Sequence, residues 1–294
     1  MFGGYIDGII ILLCINSIAA MGVSLLTGFT GIFTLGHAGY MALGAYISSL
    51  LIIKAGFHWL AAVLLGGAGA MLIAWLVGIP TLKLMGDYYA IASIGLGEAI
   101  RLVLENWQSL TRGSRGIPGI PIYTSLPVAI IFFVVMATAM FFLLNGKYGR
   151  AFKASRDDYI AASLLGFNTA HYRVLSLAIS AFYCGISGAL LAGFLSFIQP
   201  IMFDMLKSTE LTAVVVFGGL GSLSGTLIGT TIITLVTELF RPISQYRMLI
   251  YGAVIVLIMI FRPEGIMGQH ELHPRLILNL FRKEKSQSAE GGKM

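Results

Sequence analysis

Ile9-Ile10-Ile11-Leu12-Leu13-Cys14-Ile15-Asn16-Ser17-Ile18-Ala19-Ala20-Met21-Gly22-Val23-Ser24-Leu25-Leu26 is an uncharged run near the amino terminus. As a helix it would reach about 27 Å, close to the hydrocarbon thickness of a bilayer. No basic stretch precedes it and no small-residue cleavage end follows it, so it reads as a retained first membrane helix and not as a secretory signal. Similar apolar runs recur at 35–53, 59–79, 88–104, 126–144, 174–197 and 248–261, with a less regular stretch at 204–240. The chain is therefore expected to cross the membrane repeatedly.

Composition agrees, because 57% of the 294 residues are hydrophobic and only 11% are charged. A soluble domain carries about 25% charged residues. The polar groups needed to cover a water-facing surface are missing, whereas lipid demands an apolar exterior. The 36 glycines favour close helix packing and interrupted helices. A net charge of +6 does not point to nucleic acid, since the basic residues fall in short loops and the tail. Cys14 and Cys184 lie inside apolar runs and read as packing residues, with neither a disulfide framework nor a metal cluster indicated.

Basic residues accumulate in cytoplasmic loops. Residues 145–173 carry Lys147, Arg150, Lys153, Arg156 and Arg173 against Asp157 and Asp158, which predicts a cytoplasmic segment. The tail from Arg262 has six basic and four acidic residues and is also placed inside. An even number of crossings must then separate the two. Residues 211–239 cannot be one helix on that parity, and Gly218-Gly219-Leu220-Gly221-Ser222-Leu223-Ser224-Gly225 supplies the break. A short element at 207–217 and a longer helix at 226–239 result, either as two crossings or as a re-entrant hairpin followed by one crossing. Counting backwards puts 105–123 outside, 80–87 inside and the amino terminus outside. The expected fold is an all-α polytopic membrane protein of about eight to ten membrane elements with broken helices. Residues 1–261 are expected to form the transmembrane domain, including the cytoplasmic loop at 145–173, and 262–294 a cytoplasmic polar tail.

Within the cytoplasmic segment, Ser155 and Asp158 have the spacing of a capping box, and Asp157 and Asp158 suit a positive helix end. Gly166 supplies a stop. Ile160 with Leu164, and Ala161 with Leu165, share the four-residue spacing of one helix face. Such a helix can dock a cytoplasmic partner, or it can lie on the membrane or on the protein's own loops. No glycine loop ending in Lys followed by Ser or Thr is present, so ATP hydrolysis, if it drives the protein, belongs to another chain.

Several strings, in order, resemble the permeases of branched-chain amino-acid ABC importers. They are Leu26-Thr27-Gly28-Phe29-Thr30-Gly31-Ile32-Phe33-Thr34-Leu35-Gly36-His37-Ala38, then Leu84-Met85-Gly86-Asp87-Tyr88-Tyr89-Ala90 through Gly97-Glu98, then Thr111-Arg112-Gly113 through Gly119-Ile120-Pro121. Gly149-Arg150-Ala151 and Ser155-Arg156-Asp157-Asp158 through Gly166 follow. Gly218-Gly219-Leu220-Gly221-Ser222, and Tyr251-Gly252 through Arg262-Pro263-Glu264-Gly265, complete the series. Ile32, Thr226 and Thr230 depart from residues common in that family, which are Gln, Pro and Ala. Relatives of this kind carry branched-chain amino acids, other amino acids, urea or short amides.

The resemblance implies a multi-pass subunit of a bacterial or archaeal cytoplasmic membrane, with no covalent catalysis and no cofactor of its own. Its implied partners are a homologous permease subunit, two nucleotide-binding subunits that hold ATP and Mg, an external solute-binding protein and the lipid bilayer, with no nucleic acid. Coupling to the ATPase falls on Arg150, Ser155, Arg156, Asp157, Asp158, Ile160, Ala161, Leu164, Leu165 and Gly166. Helix breaks or the path itself fall on Gly31, Thr34, His37, Glu98, Gly218, Gly219, Gly221 and Ser222. His37 can contact solute or bond structurally. Glu98 and Glu105 are spaced to pair with Arg101 along one helix face, and Glu238 with Arg241. A channel, a secondary transporter and a purely structural membrane subunit are the competing classes.

Overall fold

The computed structural model describes residues 2–82, 84, 86–239, 252, 265 and 268. The expected last membrane run, the polar tail and the Glu238–Arg241 pair lie outside the described residues. Helix α1 (Phe2–Ser24) runs into a π-helical turn at Leu25–Phe29, after which the chain is irregular as far as α2 (His37–Ala55). α3 (Trp59–Thr81) and α4 (Asp87–Asn106) follow, and a short α5 (Gln108–Thr111) leads into the loop that carries β1 (Ile117–Pro118). Next come α6 (Leu126–Asn145), α7 (Lys147–Asp157), α8 (Tyr159–Leu164) and the long α9 (Thr169–Leu195). Strand β2 (Phe197–Ile198) then precedes α10 (Met205–Gly218) and α11 (Leu223–Leu239).

Five described stretches are long and apolar enough to cross a membrane: Gly4–Phe29, His37–Ala55, Trp59–Thr81, Leu126–Asn145 and Thr169–Leu195. Their hydrophobic residues run all the way round, as a lipid-facing or deeply buried helix requires. α6 and the outer side of α3 turn Trp75, Leu76, Ile131, Val135 and Phe142 outward. α9 instead lies at the centre of the bundle, its side chains from Ser176 to Gly193 mostly buried.

Glycine makes that centre possible. A Cβ on Gly44 of α2 would stand 2.1 Å from the Gly185 carbonyl oxygen of α9, and one on Gly188 would stand 1.9 Å from the Met41 oxygen. On α3, a Cβ at Gly66 would meet the Gly44 oxygen at 2.7 Å. α2, α3 and α9 thus meet backbone to backbone, the approach that small residues permit in membranes. Ser187 Oγ donates to the Ile15 carbonyl at 2.8 Å and joins α1 to the same block.

At one end, β1 and β2 pair antiparallel, Ile117 opposite Ile198 and Pro118 opposite Phe197. Gly116, at φ 72°, lets this clasp form, since a Cβ there would lie 2.1 Å from the Ile198 oxygen. The clasp ties the 105–123 interval to the end of α9.

The expected interruption after Phe217 is present, because Gly219 and Gly221 take φ of 120° and 95° and part α10 from α11. The two then pack closely, a Cβ on Gly218 meeting the Gly225 oxygen at 2.3 Å. One expectation is corrected. Ser155 does not cap the short helix α8; it is buried inside α7, and Asp158 is the cap, its Oδ1 accepting from the Ile160 and Ala161 amides at 2.9 and 3.0 Å. The reason is packing: α7 buries Ala151, Phe152 and Ser155, which carries that helix through Asp157 before the chain can turn.

Candidate functional site

The irregular stretch 30–36 leaves backbone groups that must find partners inside the bundle. Its π-turn is closed by the Thr30 amide and hydroxyl, both donating to the Leu25 oxygen, at 3.1 and 3.0 Å. Ser93 Oγ of α4 accepts from the Leu35 amide at 3.0 Å. From α10, the Thr212 hydroxyl donates to the Thr34 oxygen at 3.0 Å, and Ser208 Oγ accepts from the Ala38 amide at 2.9 Å. Gly36 sits so close under Ser93 that a Cβ would lie 2.3 Å from the Ser93 oxygen. A break in the first membrane helix is therefore stitched to α4 and α10.

The second break lies against the first. A Cβ on Gly28 would be 2.8 Å from the Gly221 amide nitrogen, and the Thr226 hydroxyl of α11 meets Ser24 Oγ of α1 at 2.9 Å. Ser222 Oγ accepts from the Gly225 amide at 3.1 Å and so caps the returning helix. Of the break residues expected from sequence, Gly31, Thr34, Gly219, Gly221 and Ser222 are thus gathered around one locus, with Gly218 immediately behind.

Arg156 reaches this locus from α7. Its Nη1 donates to the Gly28 oxygen at 3.1 Å, while Asp157 accepts from Nε and Nη2 at 3.1 and 3.0 Å. A Cβ on Gly31 would meet Arg156 Cγ at 2.7 Å, and one on Gly221 would meet Nη1 at 2.7 Å. One guanidinium therefore spans both interruptions. α8 points away from it: only Ala162 of α8 is buried, whereas Ile160, Leu164 and Leu165 are exposed, Leu164 at 83%. Gly166, at φ 88°, ends the helix with its amide donating to the Ser163 oxygen at 3.1 Å. Arg150 is exposed, as are Asp157, Asp158 and Ala161.

His37 is fully buried at the first turn of α2, and its Nε2 meets Ser180 Oγ of α9 at 2.8 Å, so its hydrogen bond here is to the protein. Glu98 pairs with Arg101 through both Nε, at 2.8 Å, and Nη2, and Nη1 of the same arginine reaches Glu105 at 2.6 Å. Glu98 also borders a cavity of about 10 Å³ with Leu35, Asp204 and Ser208, room for about one water. Sequence reasoning missed Ser93, Ser180, Ser208 and Thr212, because single hydroxyls in apolar runs carry no spacing signal. It also passed over Asn16 with Lys207 and Glu210. Here the signal was available, as an amide in the middle of an apolar run and an i, i+3 charge pair on the short element.

Residues 5–260 match the family described as the branched-chain amino acid transport system / permease component. The permease protein LivM of the high-affinity branched-chain amino acid transport system in Escherichia coli K12 is 31% identical over 285 residues, covering 85% of this chain and 67% of LivM. LivM of Salmonella typhimurium LT2 is 30% identical over the same shares. The LivH permease of E. coli K12 is 26% identical over 287 residues, covering 87% of this chain and 92% of LivH. No solved structure matches. With two interrupted helices meeting beneath a basic α7 and a family match over most of its length, the chain belongs to the branched-chain amino acid transport system permease component family.

Proposed function

We propose that this chain is a membrane permease subunit of an ATP-driven importer of branched-chain amino acids. It provides part of the translocation path and converts hydrolysis on partner chains into alternating access. The observation that carries the reading is the convergence of both helix breaks on Arg156, one residue short of the α7 terminus and just ahead of the bare apolar tip of α8. A partner that grips Ile160, Leu164 and Leu165 would move α7, and with it the side chain wedged between the breaks. Coupling of this kind needs two discrete arrangements, and interrupted helices supply them.

The finer assignment follows. α4, α10 and α11 join the five long spans, and the apolar run 248–261, which lies outside the described residues but for Gly252, brings the expected total to about nine membrane elements. Residues 145–173 face the cytoplasm as the coupling loop of a permease domain at 1–261, and 262–294 form a cytoplasmic tail. Two ATPase subunits that hold ATP and Mg, a homologous permease and an external solute-binding protein complete the complex in the cytoplasmic membrane. Support for ATP hydrolysis elsewhere is the lack of a phosphate-binding glycine loop in this sequence.

The test is uptake into liposomes holding the whole complex with its cognate binding protein, with leucine, urea and a short amide in competition. Leucine should be accumulated in an ATP-dependent way and should be displaced by isoleucine and valine. Failure of leucine to be bound or transported would overturn the cargo, and uptake without nucleotide would overturn the class.

A further inference from the structure

Asn16 is near the midpoint of the span Gly4–Phe29, and at that depth it meets a charged pair. Lys207 of α10 donates through Nζ to Asn16 Oδ1 at 3.3 Å and to Glu210 Oε2 at 3.2 Å. The pair is not sealed inside the bundle, because the Lys207 and Glu210 side chains are 20% and 30% exposed. Ionised groups at the bilayer centre are expensive wherever they touch lipid, and they are found facing bundle interiors or wet cavities. The side of α10 that bears them must therefore border water or polar protein.

Beside the pair is a cavity of about 10 Å³ between α1, α10 and α11. Asn16, Glu210, Thr230 and Thr234 supply its polar wall, and Leu211, Val214 and Ile233 its apolar wall. The Asn16 amide and the Glu210 carboxylate line the cavity and Lys207 is held against both of them; with branched aliphatic chains opposite, the set matches the two halves of an aliphatic α-amino acid. We infer that Lys207, Glu210 and Asn16 form a midplane subsite that holds the zwitterionic head of the transported amino acid. The carboxylate takes the Lys207 ammonium and the Asn16 amide, and the ammonium takes Glu210. The side chain lies against Leu211, Val214 and Ile233. Substrate thereby replaces an ion pair with two, so each charge keeps a partner throughout passage. In this conformation the cavity admits about one water, so the subsite is closed. Opening it requires α10 to part from α1, and the glycine turn at 219–222 is where α10 can swing.

This inference rests on the importer reading, and the experiment separates the two. Thr234→Cys puts a thiol on the cavity wall without touching the charged groups, and the native Cys14 and Cys184 are buried, at 4% and 0% exposure. The complete complex carrying Thr234→Cys is labelled with a small water-soluble thiosulfonate during turnover, with leucine, leucinamide or isocaproate present. Leucine should slow labelling about tenfold, while leucinamide, which lacks the carboxylate, and isocaproate, which lacks the ammonium, should not. Adding Glu210→Gln or Lys207→Gln should abolish the protection and lower uptake per assembled complex about tenfold or more. A merely structural ion pair would leave the discrimination among the three compounds unchanged. Labelling indifferent to leucine in a complex that transports leucine would overturn the subsite and spare the importer reading. Equal protection by all three would also overturn it. A wild-type complex that transports no amino acid would overturn the importer reading itself.

Discussion

Replacing Leu164 with Asp should separate ATP hydrolysis from uptake while leaving the permease folded. Leu164 is 83% exposed on α8, so nearly all of the stabilisation available from burying it is still to be gained from a partner. Full burial of a leucine is worth about 1.5–3 kcal/mol, and the exposed fraction here accounts for about 1.2–2.5 kcal/mol. A carboxylate forfeits that contribution and adds a desolvation penalty in any apolar groove. Association with the ATPase subunit should therefore weaken by at least about 8-fold. The assay compares retention of the ATPase subunit on the immobilised permease after dilution, and uptake per permease, for wild type and Leu164→Asp. Ala162→Asp is the contrasting control, because Ala162 is 3% exposed against the protein's own segment and a charge there should reduce the amount of folded permease. Wild-type retention and wild-type uptake in Leu164→Asp would refute the docking role.

Gly188→Val should destabilise the bundle by about 3 kcal/mol, since a Cβ there would stand 1.9 Å from the Met41 oxygen and α9 would have to withdraw from α2. An unchanged unfolding midpoint in detergent would contradict that approach. Cys introduced at Ile122 should react with an impermeant thiol reagent added outside sealed cells, and Cys at Ile160 only after the membrane is opened; both side chains are exposed, so failure of either pattern reverses the topology. Arg156→Ala removes the Gly28 hydrogen bond and the packing over Gly31 and Gly221. It should lower the ratio of solute moved to ATP hydrolysed about tenfold, and Arg156→Lys should restore only part of it, because a compact ammonium lacks the planar fork that reaches Gly28 through Nη1 and Asp157 through Nε and Nη2. A normal ratio in Arg156→Ala would show that the contact is incidental.

The interruptions were legible because glycine and serine cluster there. Gly218 to Gly225 announces a break that no lipid-facing helix tolerates, and both φ values above 90° at Gly219 and Gly221 need glycine. The paired charges of α4 were legible as well, since Glu98, Arg101 and Glu105 fall at helical spacing and make the bonds that spacing allows. The cap of α8 was not. Ser155 and Asp158 are both competent caps, and the choice between them is made by Phe152, whose complete burial belongs to tertiary packing that no local pattern records. The two-residue strands were equally silent, because a single pair of residues has no alternation to read. The hydroxyls that satisfy the first break come from α4 and α10, which only the fold brings to residues 34–38.

Glycine contacts among α2, α3 and α9 have a consequence for how work is distributed in the cycle. Side chains that interdigitate can exchange rotamers and let helices slide, but carbonyl oxygens resting on Cα atoms have nothing to rearrange. That trio is a stator. The rotor must be sought across from it, where α10 and α11 hang from a turn of two left-handed glycines beside the under-wound π turn that ends α1. On the proposed coupling, force arriving through α7 would meet a fixed wall on one side and a hinge on the other, and the displacement would be delivered to the hinge.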